Sequence, residues 1–231
     1  SSAAAASHVS LEWPHAGAVD YHELAVRDLS AGSGATRRLT GVHWPSLYGL
    51  ALGDGFAYAG HAWARGYTVL RRMQPGDADG PDLAYRRGGR GATSIEAGDG
   101  WAWALADSGG DAIADALELL DARQPAVQTV RARYVARGQI RHLRQSGDVA
   151  VALVSVLRGT AQRLEVLKAG DDSSIEPIGA LELGGQQYYG LAVDRQAAWL
   201  LGGSSSVVLA RVDLSDATRP AETWSGVLQV A

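Results

Sequence analysis

Cysteine is absent from the 231 residues, which excludes disulfides, thiolate metal sites and a thiol nucleophile. Asparagine is also absent, phenylalanine and methionine occur once each, and Lys168 is the only lysine, so arginine carries the remaining basic charge. Asn, Lys and Phe share A/T-rich codons, and their joint scarcity reads as a GC-rich genome rather than as function. No basic surplus exists: 21 Lys+Arg against 25 Asp+Glu leave a formal net charge of -4, which argues against a general nucleic-acid binder. No apolar run reaches the roughly 18–20 residues that span a bilayer. Ser1–Ser7 has neither a basic segment nor a long apolar segment, so no signal peptide is read there. What remains is globular: 46% hydrophobic and 20% charged residues, with 29 Gly and 7 Trp.

A four-part unit recurs along the chain. Each copy has an apolar run, a Gly/Asp turn, a second run rich in Ala and aromatics, and two further runs. The turns Gly53-Asp54-Gly55 and Gly98-Asp99-Gly100 lie 45 residues apart. Later copies read Ile140–Gln145, Val149–Val156, Arg163–Lys168 and Ile178–Leu183, then Tyr189–Val193, Ala197–Leu201, Val207–Leu214 and Thr223–Val230. The first copy is degenerate, with Ala3–Ala6 and Val9–Trp13 as its first two runs. Runs this short, bounded by Gly, Asp, Ser or Pro, are strands, and Asp-Gly replaces Asn-Gly as the source of positive φ. In Val127–Ala136, Arg131, Arg133 and Val135 alternate with Val130, Ala132 and Tyr134, which is strand periodicity. The pattern predicts an all-β chain. It reads as one domain, a five-bladed β-propeller of four-stranded antiparallel blades, about 46 residues each. The expected blades cover 2–46, 47–91, 92–138, 139–187 and 188–231. The alternative is a fragment of a larger propeller; a β-sandwich would leave the 45-residue repeat unexplained.

Leu117–Pro125 is an apolar run, an Asp, and a short polar stretch ending in Pro. Leu209–Pro220 extends this to Asp213-Leu214-Ser215-Asp216-Ala217-Thr218-Arg219-Pro220, and Arg27-Asp28-Leu29-Ser30 is similar without the Pro. These segments resemble the signature of LVIVD-repeat propellers, related in pattern to YVTN- and PQQ-type repeats. The resemblance implies a bacterial or archaeal exported or cell-surface propeller and brings no catalytic residues with it. Locally, Asp121 and Asp213 end strands and suit bonding to backbone N–H groups of the following turn.

In a propeller the first strand of each blade lines the axis, and the loops that join blades gather on one face. That rule selects His61, Arg90, Asp107, Tyr188 and Tyr189 on connections, and Glu96, Arg141, His142 and Arg144 on inner strands. Among inner strands that are otherwise small and apolar, Arg141-His142-Leu143-Arg144 stands out. Alternation places His142 and Arg144 on one face and Arg141 on the other. Two readings follow: a cationic site for a carboxylate or other anion, or an ion pair with Glu96. Tyr188-Tyr189 must send one ring outward. Gly88-Gly89-Arg90-Gly91 lacks the Lys-Ser/Thr and helix of a phosphate loop. Asp107–Asp111 is dense in oxygen, which suggests Ca²⁺, but lacks EF-hand spacing, and no other cofactor is expected. No His pair has metal-ligand spacing, and no nucleophile elbow is present. Trp101 and Trp103 share a face of one strand and read as packing between blades.

The expected function is therefore a non-enzymatic binding or scaffold propeller, exported to the periplasm, cell surface or medium. It would hold a protein partner, an envelope assembly or a small ligand at the loop face or channel mouth. The competing expectation is a hydrolase or lyase acting on a small or carbohydrate substrate at the same face.

Overall fold

The computed structural model describes residues 8–12, 15–19, 24–30, 36–39, 47–53, 56–61, 66–71, 83–85, 94–98, 100–107, 114–121, 130–156, 161–170 and 174–228. All the regular structure there is strand, in five four-stranded sheets. The first holds β1 (His8–Glu12), β2 (His15–Val19), β3 (Leu24–Asp28) and β4 (Thr36–Leu39). The second holds β5 (Leu47–Gly53), β6 (Phe56–His61), β7 (Gly66–Arg71) and β8 (Leu83–Tyr85). The third holds β9 (Ile95–Gly98), β10 (Trp101–Asp107), β11 (Ala114–Asp121) and β12 (Val130–Val135). The fourth holds β13 (Gly138–Ser146), β14 (Val149–Val156), β15 (Gln162–Ala169) and β16 (Ile175–Leu183). The fifth holds β17 (Tyr188–Val193), β18 (Ala197–Gly202), β19 (Val207–Asp213) and β20 (Ala221–Leu228). Each sheet is an antiparallel meander in chain order. Among the described residues no helix is long and apolar enough to cross a membrane.

The turns explain why the chain folds back where it does. Gly100 and Gly147 sit at φ 81° and 64°, the left-handed region that glycine enters without penalty. Asp213 accepts from the Ser215 backbone N–H and hydroxyl, at 3.3 and 2.9 Å, and Asp28 holds Ser30 in the same way at 2.8 and 2.6 Å. These Asp-x-Ser turns end the third strands of the fifth and first sheets. In the first copy the sequence reading is displaced: Val9–Trp13 largely coincides with β1, the first strand rather than the second. β2 follows across a two-residue connection, since Glu12 pairs with His15. Ala3–Ala6 lies outside the described residues.

The core lies between sheets, and two of the interfaces set large side chains on a row of alanines on the next sheet's second strand. Tyr58 of the second sheet meets Ala102 and Ala104 of the third. Trp101, Trp103, Leu105, Leu117 and Leu119 of the third meet Ala150, Ala152 and Val154 of the fourth. Val151, Leu153, Leu164 and Val166 of the fourth meet Ala198, Leu200, Ala210 and Val212 of the fifth. Strand alternation produces this, because successive residues of each second strand point to opposite neighbours. The tryptophans Trp101 and Trp103 thus cement sheets together. The inner strands approach so closely that a Cβ at Gly53 would lie 2.6 Å from the backbone of Ala97.

The expectation of a five-bladed propeller is overturned. The inner strands pack in the series β1, β5, β9, β13, β17, and β17 makes no comparable packing with β1. Among the described residues the buried core is most extensive in the last three sheets, and the row of inner strands does not close into a five-membered ring. Blade length gave the repeat count, but the angle between successive sheets decides closure, and that angle has no sequence period.

Candidate functional site at the inner-strand rim

The first strands of three sheets share an irregularity at one end. In β5, Leu47 pairs with His61 and Gly49 with Gly60, so Tyr48 is an extra, unpaired residue. In β13 the extra residue is Arg141, between Ile140 and His142. In β17 it is Tyr189, between Tyr188 and Gly190. A β-bulge bends its strand and re-aims the extra side chain. Arg141 is exposed accordingly, and Tyr189 is 52% exposed. The three bulges occupy equivalent positions, so three of the five inner strands each present one extra residue on the same rim.

Buried polar contacts fix this rim. Gln162, at the head of β15, is buried. Its carboxamide oxygen accepts from the Tyr188 backbone N–H at 2.6 Å, and its Nε2 donates to the Tyr188 carbonyl at 2.9 Å. This two-way bond ties the fourth sheet to β17 and leaves Tyr189 facing out. Nε2 also lies 3.3 Å from Ser155 Oγ, which accepts from Arg141 Nε at 3.3 Å. Gln162 and Ser155 escaped the sequence reading. The only signal was a polar residue opening the apolar run of β15.

Below the rim, Arg144 Nη1 donates to Glu96 Oε1 at 2.8 Å and to the Leu143 carbonyl at 2.7 Å. Gln145 Nε2 donates to the Gly98 carbonyl at 2.6 Å, joining the same two strands. Burial raises the Glu96 carboxyl above its ordinary value, although Arg144 draws it down. Burial lowers His142, the Arg144 charge lowers it further, and a backbone bond with Tyr189 partly opposes them. The His142 ring is thus neutral at pH 7. Arg144 is neutralised by Glu96, while Arg141 has a hydroxyl partner and no carboxylate among the described residues.

The other sequence candidates are placed as follows. Tyr188 is 5% exposed and packs against the fourth sheet rather than the rim. His61 and Asp107 end second strands at the rim end of their sheets. Arg90 lies outside the described residues, as do residues 108–111 of the oxygen-rich loop. Among the described residues, no three His, Asp or Glu side chains converge as a metal site.

Two titrations with opposite signs provide a test. His142, lowered in the fold, contributes stability that is present above about pH 6.5 and falls away as pH drops toward its folded value. Glu96, raised in the fold, contributes stability that is complete below its unfolded value near 4.5 and is lost as pH rises from there. Melting temperatures between pH 7 and pH 5 should therefore fall less steeply in His142→Gln than in wild type. They should fall more steeply in Glu96→Gln. Identical slopes in all three proteins would refute the assignment.

No family model and no curated protein matches the sequence. Solved structures do match. Against Kuenenia stuttgartiensis hydrazine synthase the TM-score is 0.67 at 8% identity, over 94% of this chain and 65% of that one. A putative 6-phosphogluconolactonase from Bacteroides uniformis gives 0.67 at 9% identity, over 96% and 70%. Apo AztD from Citrobacter koseri gives 0.62 at 9% identity, over 96% and 72%. The chain spans just under two thirds of the hydrazine synthase chain it matches. At these identities the likeness is one of fold: all-β and propeller-like, within longer chains.

Proposed function

We propose that this protein is a non-enzymatic binding or scaffold propeller of the LVIVD-like kind, exported or displayed at a cell surface. Its ligand is an anionic group held at the inner-strand rim. The observation that carries this is Arg141: a bulge extrudes it from β13, and no carboxylate among the described residues neutralises it. Tyr189, extruded by the matching bulge of the neighbouring inner strand β17, offers an exposed ring and phenol on the same rim. The neutral His142 below adds a hydrogen-bonding group without competing charge. A guanidinium binds a carboxylate through paired, charge-assisted hydrogen bonds, which suits an acidic side chain or a small carboxylic acid. The LVIVD-like reading rests on Leu117–Pro125 and Leu209–Pro220, and the Asp213–Ser215 turn supplies its local chemistry.

The test is titration with an Asp/Glu-rich peptide and with a small dicarboxylate, followed by calorimetry and backbone NMR. Binding should shift resonances of Arg141, His142 and Tyr189. Arg141→Ala should weaken it by roughly 10- to 100-fold, the value of one charged hydrogen-bonded contact. Arg141→Lys should restore part of it. Binding unchanged in Arg141→Ala, or shifts confined to another face, would sink the reading.

A further inference from the structure

The fifth sheet buries one face against the fourth and leaves its other face open. Register defines that face. Ala192 pairs with Trp199, Trp199 with Arg211, and Arg211 with Trp224; Leu201 pairs with Leu209, Leu209 with Gly226, and Val207 with Leu228. The equivalent rows of the two preceding sheets are covered. Trp103, Leu117 and Leu119 are each 0% exposed, as are Val151, Leu153, Leu164 and Val166. In the fifth sheet Trp199, Leu201, Val207 and Leu209 are only partly buried, and Trp224 is 48% and Leu228 41% exposed.

This open face is organised. The Arg211 guanidinium stands 5.8 Å over the Trp199 ring and donates to Thr223 Oγ1 at 3.0 Å. Trp224 lies flat along its strand because position 226 is glycine; a Cβ there would come within 2.8 Å of its indole. A contiguous apolar face bearing Trp and Arg has the composition of an interface centre.

We infer that this face docks one further propeller blade: a four-stranded antiparallel sheet whose second strand presents small residues to Trp199 and Leu201. Two observations choose this occupant. The large rows of the second and third sheets each meet an alanine row on the second strand of the next, Ala102 and Ala104 or Ala150 and Ala152, while that of the fourth meets Ala198 together with Leu200. The row Trp199, Leu201 and Leu209 continues those large rows in register. The matched propellers, in addition, extend beyond the part this chain spans.

The test joins a blade of that chemistry to the full chain. Appending a second copy of residues 92–138, which carries the Ala102 and Ala104 row, should slow amide exchange in β18 and β19 at least tenfold and blue-shift tryptophan emission. The same appended copy with Ala102→Arg and Ala104→Arg should do neither. Appended residues 139–187, with Ala150 and Ala152, provide a second probe in case the first does not fold. If neither addition slows exchange, the proposal fails. Light scattering should find the unextended chain monomeric. A dimer abolished by Leu209→Arg would also overturn the proposal, because the occupant would then be a second copy.

Discussion

Replacing Trp103 with alanine is expected to destabilise the protein by about 3–5 kcal/mol, the usual cost of a large aromatic-to-alanine change in a core. For a chain of this size that is a fall of roughly 6–20 °C in melting temperature. Trp103 is 0% exposed and lies at the centre of the third-to-fourth interface, against Leu105, Leu117, Leu119, Leu143 and Leu167. The neighbours come from four strands of two sheets, so they cannot close around a cavity without moving both sheets. Trp103→Phe should cost far less. It loses volume, but it also removes an indole N–H that has no hydrogen-bond partner among the described residues. Trp199→Ala, the same change at the equivalent position of the open fifth sheet, should cost less than half as much as Trp103→Ala, since the ring is only partly buried. Equal losses at the two positions by thermal melting would show that the fifth face is covered after all.

Glu165→Ala is the second large effect, with an expected loss of about 3 kcal/mol. Glu165 is 3% exposed, on the face of β15 that meets the third sheet. Its Oε2 accepts from the Tyr134 hydroxyl at 3.0 Å, and its Oε1 lies 3.5 Å from Arg163 Nε. Removing the carboxylate strands a phenol and a half-buried guanidinium together. Arg163 keeps its 3.3 Å contact with the exposed Glu182, which limits the loss. The phenol supplies a separate signature. Burial, then the Glu165 charge and hydrogen bond, push Tyr134 up to about 12. Its contribution to stability is thus complete below about pH 10 and is lost as pH rises towards 12. In Glu165→Gln the phenolate band of Tyr134 should appear at lower pH, and the loss of stability should be smaller than in Glu165→Ala. A Tyr134 titration unmoved by Glu165→Gln would remove Glu165 as its cause.

The sequence was most informative where one period governs one element. Arg131, Arg133 and Val135 are exposed on β12 while Ala132 and Tyr134 turn inward, as alternation required. Glu96 and Arg144 meet as one of the two sequence readings expected, because both are charged positions on inner strands that had to neighbour each other. The bulges were beyond that logic. Simple alternation placed Arg141 opposite His142 and Arg144. The structure instead lifts Arg141 out of the ladder and spends its freedom on the rim. Gln162 and Glu165 were equally hidden, since a polar residue in an apolar run names no partner until another sheet arrives.

What the sequence determined by itself is the repeat: short strands, Gly/Asp turns, and second strands rich in Ala and aromatics. Those are local properties, set by backbone sterics and by the two-residue period of a strand. What only the tertiary structure decided is how the sheets stand to one another. It opened the expected five-membered ring, aligned the three bulges on one rim, and left the fifth sheet's large row uncovered. Closure and alignment depend on small rotations at each interface, and these come from the fit of side chains between sheets that no single strand encodes.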